Sequence, residues 1–271
     1  MKDRISIDFN DGVADVRLIR ADKMNALDRA MFEGIIEAGE KLGGMKELRC
    51  VVLSGEGKAF CAGLDMASFA AMKEADAKGG DSVPGVRDLT RRTHGITNVP
   101  QHCAWLWRTL SAPVIAAVHG VAFGGGFQIA LGADIRYAAR DTRFSVMEVK
   151  WGLVPDLAGT QLMRHLARED IVRELTYTGR IFSAEEAERY DFVTRVVADP
   201  RTAALETARE IAGRSPDAVR AAKRLLNGAV TGDAASGLMA ESAEQQKLIG
   251  SPNQLEAVMS NLQKRTANFR D

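Results

Sequence analysis

Cysteine is scarce in this 271-residue chain: only Cys50, Cys61 and Cys103 occur, an odd number without CxxC spacing. That argues against a disulfide framework or a thiolate zinc site, and the three read as reduced thiols of a cytoplasmic protein. An excess of either charge is also missing, with 36 basic against 36 acidic side chains. A generic nucleic-acid binder normally carries a basic surplus, so no nucleic-acid partner is expected, although a local basic patch for a phosphorylated ligand remains open. The four histidines, His94, His102, His119 and His165, show no metal-ligand spacing, and no metal is expected. No long uninterrupted apolar run is present. The longest candidate, Pro113 to Gly132, is broken by His119, Gln128 and several glycines, which suits a buried strand–turn–helix better than a membrane span. No charged-then-apolar leader opens the chain, because Met1 to Asn10 already alternates like a strand. The expectation is a soluble, cytoplasmic, globular protein without membrane partners.

What is there is an alternation of short apolar runs and helical segments. Hydrophobic residues make up 46% of the chain, enough for a sizeable core. Ile5 to Phe9 alternates with period two, and Val13 to Ile19 follows the turn Asn10-Asp11-Gly12. Leu27 to Leu42 has helical spacing, with Met31, Ile35, Ala38 and Leu42 on one face. Cys50 to Leu53 and Val114 to Val118 are β-branched runs of the kind found in covered sheets. Ile135 to Tyr137, Phe144 to Val146 and Phe192 to Val197 are further strand candidates. Ser183-Ala184-Glu185-Glu186 is a capping box that starts a helix at Ser183. After Asp199 strand signals vanish, and alanine-rich amphipathic helices are separated at Ser215-Pro216, Gly232-Asp233 and Ser251-Pro252. The division is a mixed α/β core over residues 1–198 and a helical segment over 199–271. Between them in interest lies Met66 to Leu110, read as one or two helices with a mobile connection around Gly79 to Gly85. Its Phe69, Trp105 and Trp107 are candidates either for a pocket wall or for the core.

Two glycine segments carry the chemistry. Ser54 to Asp65 (SGEGKAFCAGLD) follows a strand and lacks both the P-loop and the dinucleotide pattern. Alone it reads first as an ordinary strand–helix loop with tight turns. Val114 to Gln128 runs a buried strand into Gly124-Gly125-Gly126 and then the helix Phe127 to Leu131. Such a stretch leaves amides unpaired at a helix N-terminus, where negative charge is favoured. Close packing of helix on strand also requires small residues there. Together, the two loops can offer one amide each to a single oxygen, an oxyanion hole made of backbone.

These segments resemble the enoyl-CoA hydratase/isomerase (crotonase) superfamily. The resemblance rests on Lys58-Ala59-Phe60-Cys61-Ala62-Gly63-Leu64-Asp65, Pro113 to Gly120, Gly124-Gly125-Gly126, Ala133-Asp134-Ile135-Arg136 and Gly159-Thr160-Gln161, in the family's order from about Arg20 to Val197. The tail Lys264 to Phe269 is similar as well. It implies an α/β spiral of ββα units with a C-terminal helical trimerisation segment, hence a homotrimer or a hexamer built as a dimer of trimers. It implies an acyl-CoA thioester as ligand, with coenzyme A entering as part of the substrate and no separate cofactor. The oxyanion donors would be the amides of Ala62 and Gly125. Lys23, Met24, Ala26, Ala62, Gly63, Leu64, Asp65 and Lys264 would line the coenzyme A end, although lysines placed like Lys23 and Lys264 are more often plain surface charges.

The reaction depends on side chains near those amides. Family hydratases use two glutamates. Here the first position is Gln128, whose amide orients a partner but cannot shuttle a proton at neutral pH. The second is Glu148, the expected proton carrier. Asp156 stands where dienoyl-CoA isomerases carry a catalytic aspartate, yet those enzymes also have an acid at the Gln128 position. Asp156 is thus open to two readings, a second catalytic acid or the N-cap of a helix beginning near Leu157. One good base suffices for a double-bond shift, so isomerisation is expected ahead of hydration of a 2-enoyl-CoA. The missing glutamate leaves open another enolate reaction, such as decarboxylation or thioester hydrolysis. It also leaves open a catalytically impaired coenzyme A-ester or RNA-binding relative.

Overall fold

The computed structural model describes residue 1 and residues 3–65 and 88–271. The chain opens with β1 (Ile5–Asn10) and β2 (Val13–Leu18), an antiparallel hairpin that pairs Asn10 with Val13. α1 (Arg29–Gly43) follows, capped by Asp28, whose carboxylate accepts from the Met31 amide at 2.8 Å. β3 (Cys50–Gly55) returns parallel to β2. After the described chain resumes come α2 (Val99–Thr109), β4 (Val114–Val118), β5 (Val121–Phe123) and α3 (Gly125–Leu131). β6 (Ile135–Ala139) and β7 (Arg143–Ser145) lead into a 3-10 turn at Glu148–Trp151. The remaining elements are α4 (Gly159–Met163), α5 (Glu169–Thr178), β8 (Phe182–Ser183), α6 (Ala184–Arg189) and β9 (Arg195–Val197). Helices α7 (Pro200–Ala212), α8 (Pro216–Ala229), α9 (Ala234–Leu248) and α10 (Pro252–Leu262) close the chain.

The strands form two sheets. One has the order β1-β2-β3-β4-β6-β9 and is parallel from β2 onward; the other has the order β5-β7-β8. Side chains alternate across a strand, so β3 sends Val51 and Leu53 into the main core and Cys50 and Val52 to the opposite face. That second face is covered by Ala204, Ala208 and Ala212 of α7. Covering on both sides explains why β3 and β4 read as unbroken apolar runs. The three thiols are buried there and in the main core. Burial pushes Cys50 and Cys61 up to about 12, and Cys103 rises as well.

Other expectations meet a direct outcome. The capping box at Ser183 is present, with Glu186 N donating to Ser183 Oγ at 3.1 Å and Ser183 N to Glu186 Oε2 at 3.0 Å. The strand expected over Phe192 to Val197 is shorter and begins at Arg195. Phe192 N donates to Ala187 O, and Phe192 O accepts from Arg136 Nε at 2.6 Å, so its backbone is tied to α6 and to a side chain instead of a ladder. Its ring joins Phe127, Phe144 and Phe182 in an aromatic cluster with centroids 5.5–6.1 Å apart. Among the described residues no helix is long and apolar enough to cross a membrane.

Candidate active site

The parallel strands end at one side of the sheet, and the loops that leave them enclose a cavity of about 410 Å³. Its walls come from residues 23–27, 62–65, 123–125 and 147–157. The first two loops are stitched together by backbone: Leu27 N donates to Gly63 O at 2.8 Å and Asp65 N to Leu27 O at 3.0 Å. Arg20 braces the same junction, with Nη1 donating to Ala26 O at 3.0 Å and paired with the Asp65 carboxylate at 2.5 Å. Lys23, Met24, Ala26, Ala62, Leu64 and Asp65, all expected at the coenzyme A end, therefore line one surface. Gly63 sits behind that surface. Its φ of +88° and the Phe123 carbonyl, 2.7 Å from where a Cβ would stand, admit only glycine. Lys264, at the exposed tail, does not line this cavity.

The pair of amides needs a correction. Ala62 N donates to Met24 O at 2.9 Å, so this amide already has a partner and is not a vacant donor. Two residues on, the Leu64 amide has no hydrogen-bond partner among the described residues, and neither has the Gly125 amide. Gly125 is the first residue of α3, where N–H groups fall outside the helical ladder. Leu64 and Gly125 line the same cavity, and a Cβ on Gly63 would lie 3.9 Å from Gly125 N. Two unpartnered amides thus lie close together, and one of them is not the residue expected.

Glu148 opens the 3-10 turn after β7 and is buried, at 9% exposure. Its Oε1 accepts from Gln128 Nε2 at 2.6 Å, and its Oε2 is buried without a partner among the described residues. Gly124, with φ +51°, lies directly beneath the carboxylate, since an added Cβ would stand 3.0 Å from Oε1. Burial is the main cause that raises the Glu148 carboxyl above its ordinary range; its backbone hydrogen bond and that from Gln128 oppose the shift, and Asp156 adds to it. Asp156 is half-buried, and burial raises it too. It lines the cavity and also a neighbouring hollow of about 190 Å³. The capping role is corrected: α4 begins at Gly159, its N-cap is Ala158 with φ +62°, and Asp156 caps nothing. That work falls to Gln128, whose Oε1 accepts from Leu157 N and Gly159 N, both at 2.9 Å.

A sequence profile described as enoyl-CoA hydratase/isomerase matches residues 8–271. The chain belongs to that family. A crystal structure of enoyl-CoA hydratase from Bacillus anthracis superposes with a TM-score of 0.87 at 30% identity, covering 98% of each chain. The architecture is therefore the crotonase fold. Delta(3,5)-Delta(2,4)-dienoyl-CoA isomerase of Homo sapiens is 36% identical over 219 residues, 78% of this chain and 64% of the isomerase. The chain thus spans under two thirds of that relative's length. Methylglutaconyl-CoA hydratase of Mus musculus is 28% identical over 268 residues, 96% of this chain and 80% of the hydratase.

In this family member the aromatic candidates separate. Trp107 is fully buried in the core and is not on the wall of the main cavity, whereas Trp105 lines the smaller hollow beside Asp156. Phe69 and the connection around Gly79 to Gly85 lie outside the described residues. Sequence reasoning missed Asn25, fully buried with φ +55°, whose Nδ2 donates to Glu56 O at 3.0 Å and Ala59 O at 2.8 Å. Asn is among the few residues that tolerate this backbone region, and its place in a tight polar loop was the available signal. Leu64 was expected at the coenzyme A end but not as an amide donor, because only the partner of Ala62 N distinguishes the two amides.

Proposed function

We propose that the protein isomerises the double bond of an enoyl-CoA thioester, with Glu148 as the proton carrier and the amides of Leu64 and Gly125 as the oxyanion hole. The observation that supports this most is the environment of Glu148: a buried carboxylate on the cavity wall with one unpartnered oxygen, its other oxygen held by the buried Gln128 amide instead of a second acid. The thioester oxygen lies between the two amides. Glu148 Oε2 takes a proton from carbon 2, and the electron pair moves into the enolate, whose charge the amides stabilise. The same carboxyl returns the proton at carbon 4, so nothing is consumed. For a conjugated 3,5-diene the returning proton is needed further along the chain. Asp156, held more protonated by burial, is the group that supplies it there, and exchange with solvent afterwards removes the proton left on Glu148 and restores the one given by Asp156. Lys23 at the cavity rim suits a phosphate of the coenzyme A moiety, and the chemistry needs no further cofactor. The apolar residues exposed on α9 and α10 suit a trimer or a pair of trimers.

The test supplies 2-enoyl-, 3-enoyl- and 3,5-dienoyl-CoA to the purified protein and follows the products by chromatography. Isomerised products should form faster than hydrated ones, and Glu148→Gln should slow them by about 10²–10⁴-fold. Wild-type turnover in that variant, or hydration outpacing isomerisation, would refute the reading.

A further inference from the structure

We propose that Gln128 is a positioning residue that commits Glu148 Oε1 to a fixed hydrogen bond, leaves Oε2 as the single working oxygen, and thereby restricts the site to proton transfer without hydration. This rests on Glu148 being the proton carrier argued above. The geometry is set by three hydrogen bonds on one buried carboxamide, 1% exposed. Leu157 N and Gly159 N both point donors at one end, each 2.9 Å from Oε1. An NH2 group at that end would face two N–H donors, so the amide has one allowed orientation. Its nitrogen must then face Glu148, 2.6 Å from Oε1. Burial keeps water from competing, and the close approach of the backbone at Gly159 depends on glycine, since a Cβ there would stand 2.4 Å from Gln128 Oε1.

The consequence lies in the comparison with glutamate at the same position. A glutamate has nearly the same shape, and one oxygen would still accept from Leu157 and Gly159. Its other oxygen would replace an N–H donor and meet Glu148 Oε1 at hydrogen-bond distance. Two carboxylates so placed must share a proton. With Gln128 no second proton is held between them, so this pair supplies none for water addition. The other ionisable groups lining the cavity are Asp156, Lys23 and Asp65, the last already paired with Arg20.

Gln128→Glu and Gln128→Met separate the electrostatic role from the structural one. Glutamate keeps the acceptor for Leu157 and Gly159, whereas methionine loses it. For each protein one measures thermal unfolding, kcat against pH for 3-enoyl-CoA isomerisation, the rate of 2-enoyl-CoA hydration, and infrared titration of the Glu148 carboxyl in the free enzyme, assigned with Glu148→Gln. Gln128→Glu should stay folded, move the acid limb and the carboxyl titration up by about one pH unit or more, and raise hydration relative to isomerisation at least about tenfold. An unchanged titration and pH profile in folded Gln128→Glu would overturn the proposal, as would changes confined to Gln128→Met. If the wild type turned over no enoyl-CoA, the functional reading would fall, and the infrared titration alone would still decide the positioning role.

Discussion

At the scale of single residues, Glu148 combines two demands that oppose one another. Its burial raises its proton affinity, while the Gln128 hydrogen bond lowers it. A base works only when ionised, so the proposed isomerisation should fall on the acid side of a limb that lies above the ordinary carboxylate range. A pH–rate profile locates that limb. Removing the group should cost about 10²–10⁴-fold in turnover, measured as kcat of Glu148→Gln. Stability runs the other way. A carboxyl whose folded-state affinity is raised stabilises the fold below its unfolded pKa, and that contribution is lost as pH rises through the folded value. At neutral pH the buried charge is therefore a cost. Glu148→Gln should raise Tm at pH 7, and the gain should vanish in acid, as thermal unfolding across pH would show.

At the scale of elements, what was legible in the sequence was what neighbours decide. The β-branched run of β3, the capping box at Ser183 and the proline-led helices after residue 199 depend on residues within a few positions, and the structure contains them as read. What was illegible depends on partners far along the chain. Ala62 N is engaged by Met24 O from another loop, and Asp156 lost its capping role to a glutamine on α3. Phe192 left the strand because Arg136 holds its carbonyl. The element boundaries offer two tests. In Gly124→Ala the added methyl would stand 3.0 Å from Glu148 Oε1 at a φ of +51°. The variant should lose most activity, through a displaced carboxylate, with kcat falling more than the KM changes. On α8, Lys223 is buried beneath the sheet and donates to Trp107 O, Ala112 O and the Asp134 carboxylate at 3.1, 3.0 and 2.7 Å. Asp134→Ala leaves that ammonium without its counter-charge and should destabilise by about 3–5 kcal/mol in denaturant unfolding.

At the scale of the molecule, the exposed apolar side chains concentrate late in the chain. Leu238 and Met239 on α9 and Leu255, Val258, Met259 and Leu262 on α10 all face outward. Such a patch on a single chain is ordinarily covered by another. The double variant Leu238→Glu/Met239→Glu should lower the mass observed by sedimentation relative to wild type, while the monomer's cavity, built from residues 23–27, 62–65, 123–125 and 147–157, keeps its walls.

The sheet order has a consequence in time as well as in space. Among the described residues only the first hairpin joins its paired strands by a short turn. Val13 pairs with Cys50, Val51 with Val114, and Tyr137 with Arg195, so most of the sheet waits on the closure of long loops. Long-range pairings form slowly, and the cavity needs four such segments docked at once. After dilution from denaturant, burial of Trp107 should be complete before activity returns. The catalytic centre would then be the last part of the molecule to be born, and a chain caught midway would show a native-like core and no reaction.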